Sequence, residues 1–132
     1  MILLDTHVWL WWLEPDLGRL PASLRSHLEM ADDLAISTIS IYELCLNVRR
    51  GRIQLTLPLD EWIKEALEPS SVRAVAPDET IAQRAALLPP VHGDPLDRLL
   101  IATALQHGAQ LISMDNVFPQ YSELAGLLIG RE

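Results

Sequence analysis

Four acidic residues stand where apolar runs end or helices begin: Asp5 after "ILL", Glu43 shortly after "LAIST", Asp97 at the mouth of "LLIATAL", and Asp115 after "LISM". Carboxylates in such places can do two jobs. They can cap helix amides, or they can gather and hold a hard cation. Gathered carboxylates repel one another, and Mg²⁺ or Mn²⁺ with oxygen ligands resolves that repulsion. Such an ion lowers the pKa of bound water and steadies the charge of a phosphodiester transition state. The chemistry within reach is metal-dependent phosphodiester hydrolysis.

Taken singly, the capping reading has real weight. Ser40-Ile41-Tyr42-Glu43 fits a capping box, with Glu43 in the first helical turn. Asp94-Pro95-Leu96-Asp97 fits equally well, with Asp94 as N-cap and Pro95 at the first helical position. Asp97 differs in one respect. It shares a helix face with Leu100, Ile101 and Ala104, in a segment apolar nearly all round. A carboxylate above a buried face is costly unless it is paired or metal-bound. Asp94 therefore reads as the cap and Asp97 as the ligand.

The elements that must position these acids follow from periodicity and punctuation. Ile2–Leu4, Leu34–Thr38, Val72–Val75, Gln110–Met114 and Leu127–Ile129 read as strands. Between them the pattern predicts helices from Thr6 to Leu13, Pro21 to Ala31, Ser40 to Gly51, Asp60 to Glu68, Asp78 to Leu88, and Pro95 to Gln106. Strands alternating with helices predict an α/β domain with a mainly parallel sheet. The apolar strand runs suit a sheet covered on both faces. In such sheets ligands gather beyond the carboxyl ends of the strands. Asp5 and Asp115 emerge at that edge, and Glu43 lies near it. Asp97 precedes its strand, so this argument does not fix its place.

The chain has 132 residues and 49% hydrophobic composition, which suits one domain, residues 1–132, with a sizeable core. No linker rich in Gly, Ser or Pro divides it. Charges interrupt every apolar run before it reaches membrane-spanning length, so no membrane association is expected. The N-terminus lacks the features of a signal peptide. Cys45 is the only cysteine, which excludes an internal disulfide and fits a reducing cytoplasm. Ten basic against 18 acidic residues give a net charge of −8. That balance argues against sequence-independent coating of nucleic acid, but an acidic centre can meet phosphate through a metal. No P-loop or Gly-rich dinucleotide fingerprint occurs.

Four segments, "LLDTHVWLWWL", "AISTISIYELCLNVRRGRI", "DPLDRLLIATAL" and "LISMDNVFPQY", together cover most of the chain in a family-like order. In them the sequence resembles the PIN-domain ribonucleases, most closely the toxins of VapBC-type toxin–antitoxin modules. The resemblance implies a three-layer α/β/α sandwich around a mainly parallel sheet. It places the family's acidic cluster on Asp5, Glu43, Asp97 and Asp115. It implies Mg²⁺-dependent (or Mn²⁺-dependent) endonucleolytic cleavage of RNA, a homodimer, and a cognate antitoxin that covers the active site. One departure is visible: related toxins often carry a lysine where this chain has Asn47. Arg49, Arg50 or Arg52 are the nearby cations that can replace it.

In this reading Asp5, Asp97 and Asp115 hold metal directly or through water, and Glu43 either joins them or orients the attacking water. Thr6 and Ser113 are placed to hydrogen-bond the carboxylates, or to be ordinary strand-end hydroxyls. His7 reads as facing solvent or a partner, and Arg98 as half of a salt bridge. His27, His92 and His107 show no zinc spacing with cysteine. Trp9, Trp11 and Trp12 read as core or interface packing rather than base-stacking platforms. Two rivals remain. One is an aspartyl-phosphate phosphatase with Asp5 as nucleophile, against which His7 stands where a second aspartate is usual. The other is a non-catalytic α/β binding module whose acids only cap helices.

Overall fold

A computed structural model of the chain describes residues 1–67, 72–91 and 93–130. Its centre is a five-stranded parallel sheet: β1 (Ile2–Leu4), β2 (Leu34–Ser37), β3 (Val72–Val75), β4 (Gln110–Ile112) and β5 (Leu128–Ile129). The strand order is β3-β2-β1-β4-β5, and every neighbouring pair is parallel. β1 is central, with Leu3 registered against Ala35 on one side and Leu111 on the other.

Side chains alternate across the sheet, and both faces are covered. Leu4, Ile36 and Ile112 point to one face. They pack with residues of α1 (Thr6–Leu13), α2 (Ala22–Glu29), α3 (Thr38–Arg49) and α4 (Leu59–Leu67). Leu3, Ala35 and Leu111 point to the other face. They meet Leu100, Ile101 and Ala104 of α6 (Pro95–His107), together with Phe118, Tyr121 and Leu124 from two short 3-10 turns. α5 (Glu79–Leu87) lies outside α6, joined through Ile81, Ala85 and Ala102. The result is the covered parallel sheet expected from the alternation of elements, in the three-layer α/β/α arrangement that the resemblance implies.

Three departures from the sequence reading bear on the site. α3 begins at Thr38, not Ser40, because the Ser37 hydroxyl accepts from Ile39 N at 3.1 Å and caps the helix directly at the strand end. Ser40 is then buried inside the helix and the expected capping box does not form. Glu43 moves into the second turn, with no capping role. β4 ends at Ile112, so Ser113 and Met114 already belong to the loop. α4 begins at Leu59, which puts Asp60 inside the first turn rather than at the cap. Its expected end at Glu68 and Pro69 lies outside the described residues, as does His92.

The caps predicted for the other two helices hold. Asp78 Oδ1 accepts from Ile81 N at 2.9 Å, and Asp94 Oδ1 accepts from Leu96 N at 2.9 Å. Gly108 closes α6 with φ +60°, a left-handed turn that favours glycine. Among the described residues, no helix is long and apolar enough to cross a membrane.

Candidate active site

β1 has β2 on one side and β4 on the other, and the chain leaves towards opposite edges of the sheet from these two neighbours. A crevice forms outside the carboxyl ends of strands where the order reverses in this way. Asp5 follows β1 and Asp115 follows β4, with Asp5 N donating to Ile112 O at 2.9 Å. The two strand-end acids are therefore neighbours by construction.

A cavity of about 400 Å³ opens there, lined by Asp5, His7, Trp11, Glu43, Asp94, Asp97, Met114 and Asp115. All four acids singled out in the sequence share it. They arrive from four places: the start of α1, the second turn of α3, the first turn of α6 and the loop after β4. Asp94 also reaches the wall, while its Oδ1 stays on the Leu96 amide.

Asp5 is buried and follows an unusual path for a residue at a helix start. Its side chain makes no capping bond to α1. Instead Oδ2 accepts from the Ser113 hydroxyl at 2.7 Å, and the Ser113 oxygen accepts in turn from Asp115 N at 3.0 Å. Asp115 Oδ1 accepts from Val117 N at 2.8 Å, which turns the loop back. One fully buried hydroxyl thus ties two of the acids to each other. Ser113 takes the role of carboxylate partner. Thr6 is buried at the first position of α1. Burial holds the Asp5 carboxyl above its ordinary range. The Ser113 hydroxyl and neighbouring His7 pull it back, and the charge of Asp115 adds to the rise.

Asp97 is half-buried above Leu100, Ile101 and Ala104, as the helix pattern required. Arg98, expected in a salt bridge, directs its guanidinium to main-chain carbonyls: Nη1 to Pro89 O at 2.9 Å, and Nη2 to Leu88 O at 2.7 Å and Ala86 O at 3.3 Å. It therefore ties α6 to the end of α5. Arg49, Arg50 and Arg52 are exposed at the far end of α3, and Arg49 is six residues, or about 9 Å, along the helix from Glu43.

The pocket wall also holds residues the sequence reading set aside. His7 is exposed and edge-on to Trp11, with ring centroids 5.8 Å apart. Trp11 lies over Gly18, where any side chain would collide with the indole. Trp9, by contrast, is fully buried and packs edge-on against Trp62 at 5.2 Å. Trp12 is half-buried, and the Arg25 guanidinium stands 5.9 Å from its ring centre. The signal that separates Trp11 from the other two is its position one helical turn from His7, on the face that follows Asp5.

The donor set is carboxylate oxygen with one imidazole and no thiolate, which suits a hard cation rather than zinc. Among the described residues, no three His, Cys, Asp or Glu side chains converge closely enough as placed to hold an ion between them. Mg²⁺ usually keeps several waters and takes only one or two carboxylates directly. Acids that line a common cavity without meeting at a point fit that habit.

A family model for the PIN domain matches residues 2–124. Ribonuclease VapC22 of Mycobacterium tuberculosis is 40% identical over 116 residues, covering 86% of each chain. Among solved structures, VapBC2 from Rickettsia felis bound to a promoter DNA fragment superposes with a TM-score of 0.72 at 19% identity, covering 100% of both chains. FitAcB from Neisseria gonorrhoeae gives 0.63 at 24% identity, covering 100% of this chain and 97% of that one. The structural likenesses carry the fold. With the family match and the curated relative beside them, the chain belongs to the PIN-domain family.

Proposed function

We propose that this chain is a metal-dependent endoribonuclease that hydrolyses RNA phosphodiester bonds and serves as the toxin of a toxin–antitoxin pair. The observation that carries the reading is the cavity at the strand-order reversal, which Asp5, Glu43, Asp97 and Asp115 all line. The 40% identity to a protein named as a ribonuclease supports the activity. The structural likeness to toxin–antitoxin complexes supports an antitoxin as partner. The proposal takes residues 1–132 as one domain, acting in the cytoplasm as a homodimer.

Asp5, Asp97 and Asp115 are the residues that would hold Mg²⁺ or Mn²⁺, directly or through water. The bound cation supplies positive charge against the phosphodiester and a lowered pKa for water. The protein's own part is to place groups. Ser113 fixes the Asp5 carboxylate and the Asp115 main chain together. Asp94 starts α6 so that Asp97 projects into the cavity. Glu43, on the α3 side, would either join Asp5, Asp97 and Asp115 as a ligand or orient the attacking water for an in-line approach. Trp11 offers an aromatic wall beside the acids, where a base can stack.

Helix capping explains Asp94 alone. Glu43 caps no helix, and Asp5 accepts from Ser113 across the sheet edge, so capping alone does not account for the set. The aspartyl-phosphate reading has no observation in its favour. Purified protein incubated with RNA and with a phosphomonoester, with Mg²⁺, Mn²⁺ or EDTA, separates the three. The proposal expects cleavage of RNA only with metal, lost in Asp5→Asn and Asp97→Asn and kept in Asp94→Asn. Full RNA cleavage in EDTA sinks the metal mechanism. Activity on the monoester alone favours the phosphatase, and no activity on either favours the binding module.

A further inference from the structure

Two arginines tie α5 to α6, one at each end of α6. At the far end Arg84 Nη1 donates to Gln106 Oε1 at 3.3 Å, a contact on the exposed surface. At the start of α6 Arg98 is half-buried, and its guanidinium reaches the main-chain carbonyls of Ala86, Leu88 and Pro89. These carbonyls need a donor from elsewhere. The last carbonyls of a helix have no partner within it, and α5 ends at Leu87, directly ahead of Leu88, Pro89 and Pro90. The two prolines bring no N–H of their own. A positive guanidinium also suits the negative end of the helix dipole. It meets the three acceptors through two nitrogens, a fork that a lysine ammonium does not reproduce.

We infer that Arg98 is a positioning residue for Asp97. Successive residues of a helix point about 100° apart. Asp97 therefore lines the acidic cavity while Arg98, next in the chain, reaches the end of α5. The first turn of α6 is closed by two bonds, Leu96 N to Asp94 Oδ1 at 2.9 Å and Arg98 N to Asp94 O at 3.1 Å. Both lie within the turn and move with it. The apolar contact between the helices runs through Ala102, one turn further on, with Leu99 beside it. The Arg98 guanidinium joins the first turn itself to the neighbouring helix. Asp94 thus shapes the helix start, and Arg98 sets where that start lies. A first turn that frays or swings carries the Asp97 carboxylate with it, and groups that orient a ligand govern how well it holds a cation. That Asp97 holds metal rests on the proposed function; that Arg98 fixes the turn bearing Asp97 rests on its own three bonds.

The test compares Arg98→Gln and Arg98→Lys with Arg84→Gln, which removes the tie at the other end of α6. Two quantities are measured on ¹⁵N-labelled protein. One is hydrogen exchange, without metal, of the amide at position 98, which donates to Asp94 O. The other is the affinity for Mn²⁺, from solvent-proton relaxation. In Arg98→Gln that amide should exchange about tenfold faster while the Ala102 amide keeps its rate. Mn²⁺ should bind the same variant about tenfold more weakly. Arg98→Lys keeps the charge without the fork, so both quantities should move the same way by about threefold. It carries the test should Arg98→Gln fold poorly. Arg84→Gln should match wild type in both. Faster exchange with wild-type Mn²⁺ affinity would make Arg98 a structural tie only and overturn the inference. An equal loss in Arg84→Gln, or wild-type values in both Arg98 variants, would do the same. Wild-type protein that binds no Mn²⁺ sinks the metal reading instead, and the exchange rate at position 98 then decides alone whether Arg98 holds the turn.

Discussion

α1 carries a buried carboxylate at each end, and the two are held in different ways. Glu14 meets three donors, from a loop residue and from α4, and these hold its carboxyl below the ordinary 4.5 although burial pushes the other way. Burial holds the Asp5 carboxyl above the ordinary 3.8, with the Ser113 hydroxyl and His7 opposing the rise and the charge of Asp115 adding to it. The environment of Glu14 is complete and stabilises the ion. That of Asp5 leaves the ion incompletely compensated, and the proposed cation would complete it. Glu14 is held as an ion by its donors, whereas the role of Asp5 rests on the proposed function.

The comparison breaks most sharply with Asp5→Asn. Metal-dependent RNA cleavage should fall at least about 100-fold, more than the loss typical of groups that only support a ligand. In EDTA the melting temperature should stay level or rise, because the raised carboxyl is stabilised by losing its charge. A clear fall in melting temperature would place Asp5 with Glu14 as a structural acid. Ser113→Ala comes next. It unties Asp5 from Asp115, so cleavage should drop about 10- to 100-fold, with metal affinity falling in parallel in a Mn²⁺ titration.

Glu14→Ala should do the reverse of Asp5→Asn. It leaves the Trp62 indole and Thr56 hydroxyl without their acceptor and should cost about 2–3 kcal/mol in denaturant unfolding. Cleavage per folded molecule should be unchanged. The pH dependence sharpens this. The Glu14 pKa is lowered on folding, so its contribution is full above 4.5 and is lost as pH falls through the lower folded value. The stability gap between wild type and Glu14→Gln should narrow on acidification below 4.5, and a gap that widens there contradicts the assignment. The smallest effect belongs to Asp94→Asn, because asparagine caps nearly as well. Stability should change by no more than a few tenths of a kcal/mol.

What the sequence made legible was local. Asp94 and Asp97 separate by position within one helix start: Asp94 forms the expected cap, and Asp97 lies on the cavity wall above the apolar face. The strand ends placed Asp5 and Asp115 at one edge because a parallel sheet leaves them nowhere else. The misplaced start of α3 shows the limit of motif reading. Ser37, Thr38 and Ser40 all suit a cap, and only the point where β2 stops pairing with β3 decides for Ser37. Glu14 was invisible because its donors come from 42 and 48 residues away. The Ser113 bond to Asp5 spans 108 residues, so its choice over an ordinary strand-end hydroxyl awaited the fold. Trp11 and Trp9 look alike in a tryptophan-rich helix, and only the packing of α1 turns one to the pocket and the other to the core.

Anomalous diffraction from crystals grown with Mn²⁺ tests the central claim most directly. The account predicts a Mn²⁺ peak in the cavity of Asp5, Glu43, Asp97 and Asp115, absent from Asp5→Asn crystals grown the same way. No peak there at saturating Mn²⁺, or one that survives unchanged in Asp5→Asn, would contradict it.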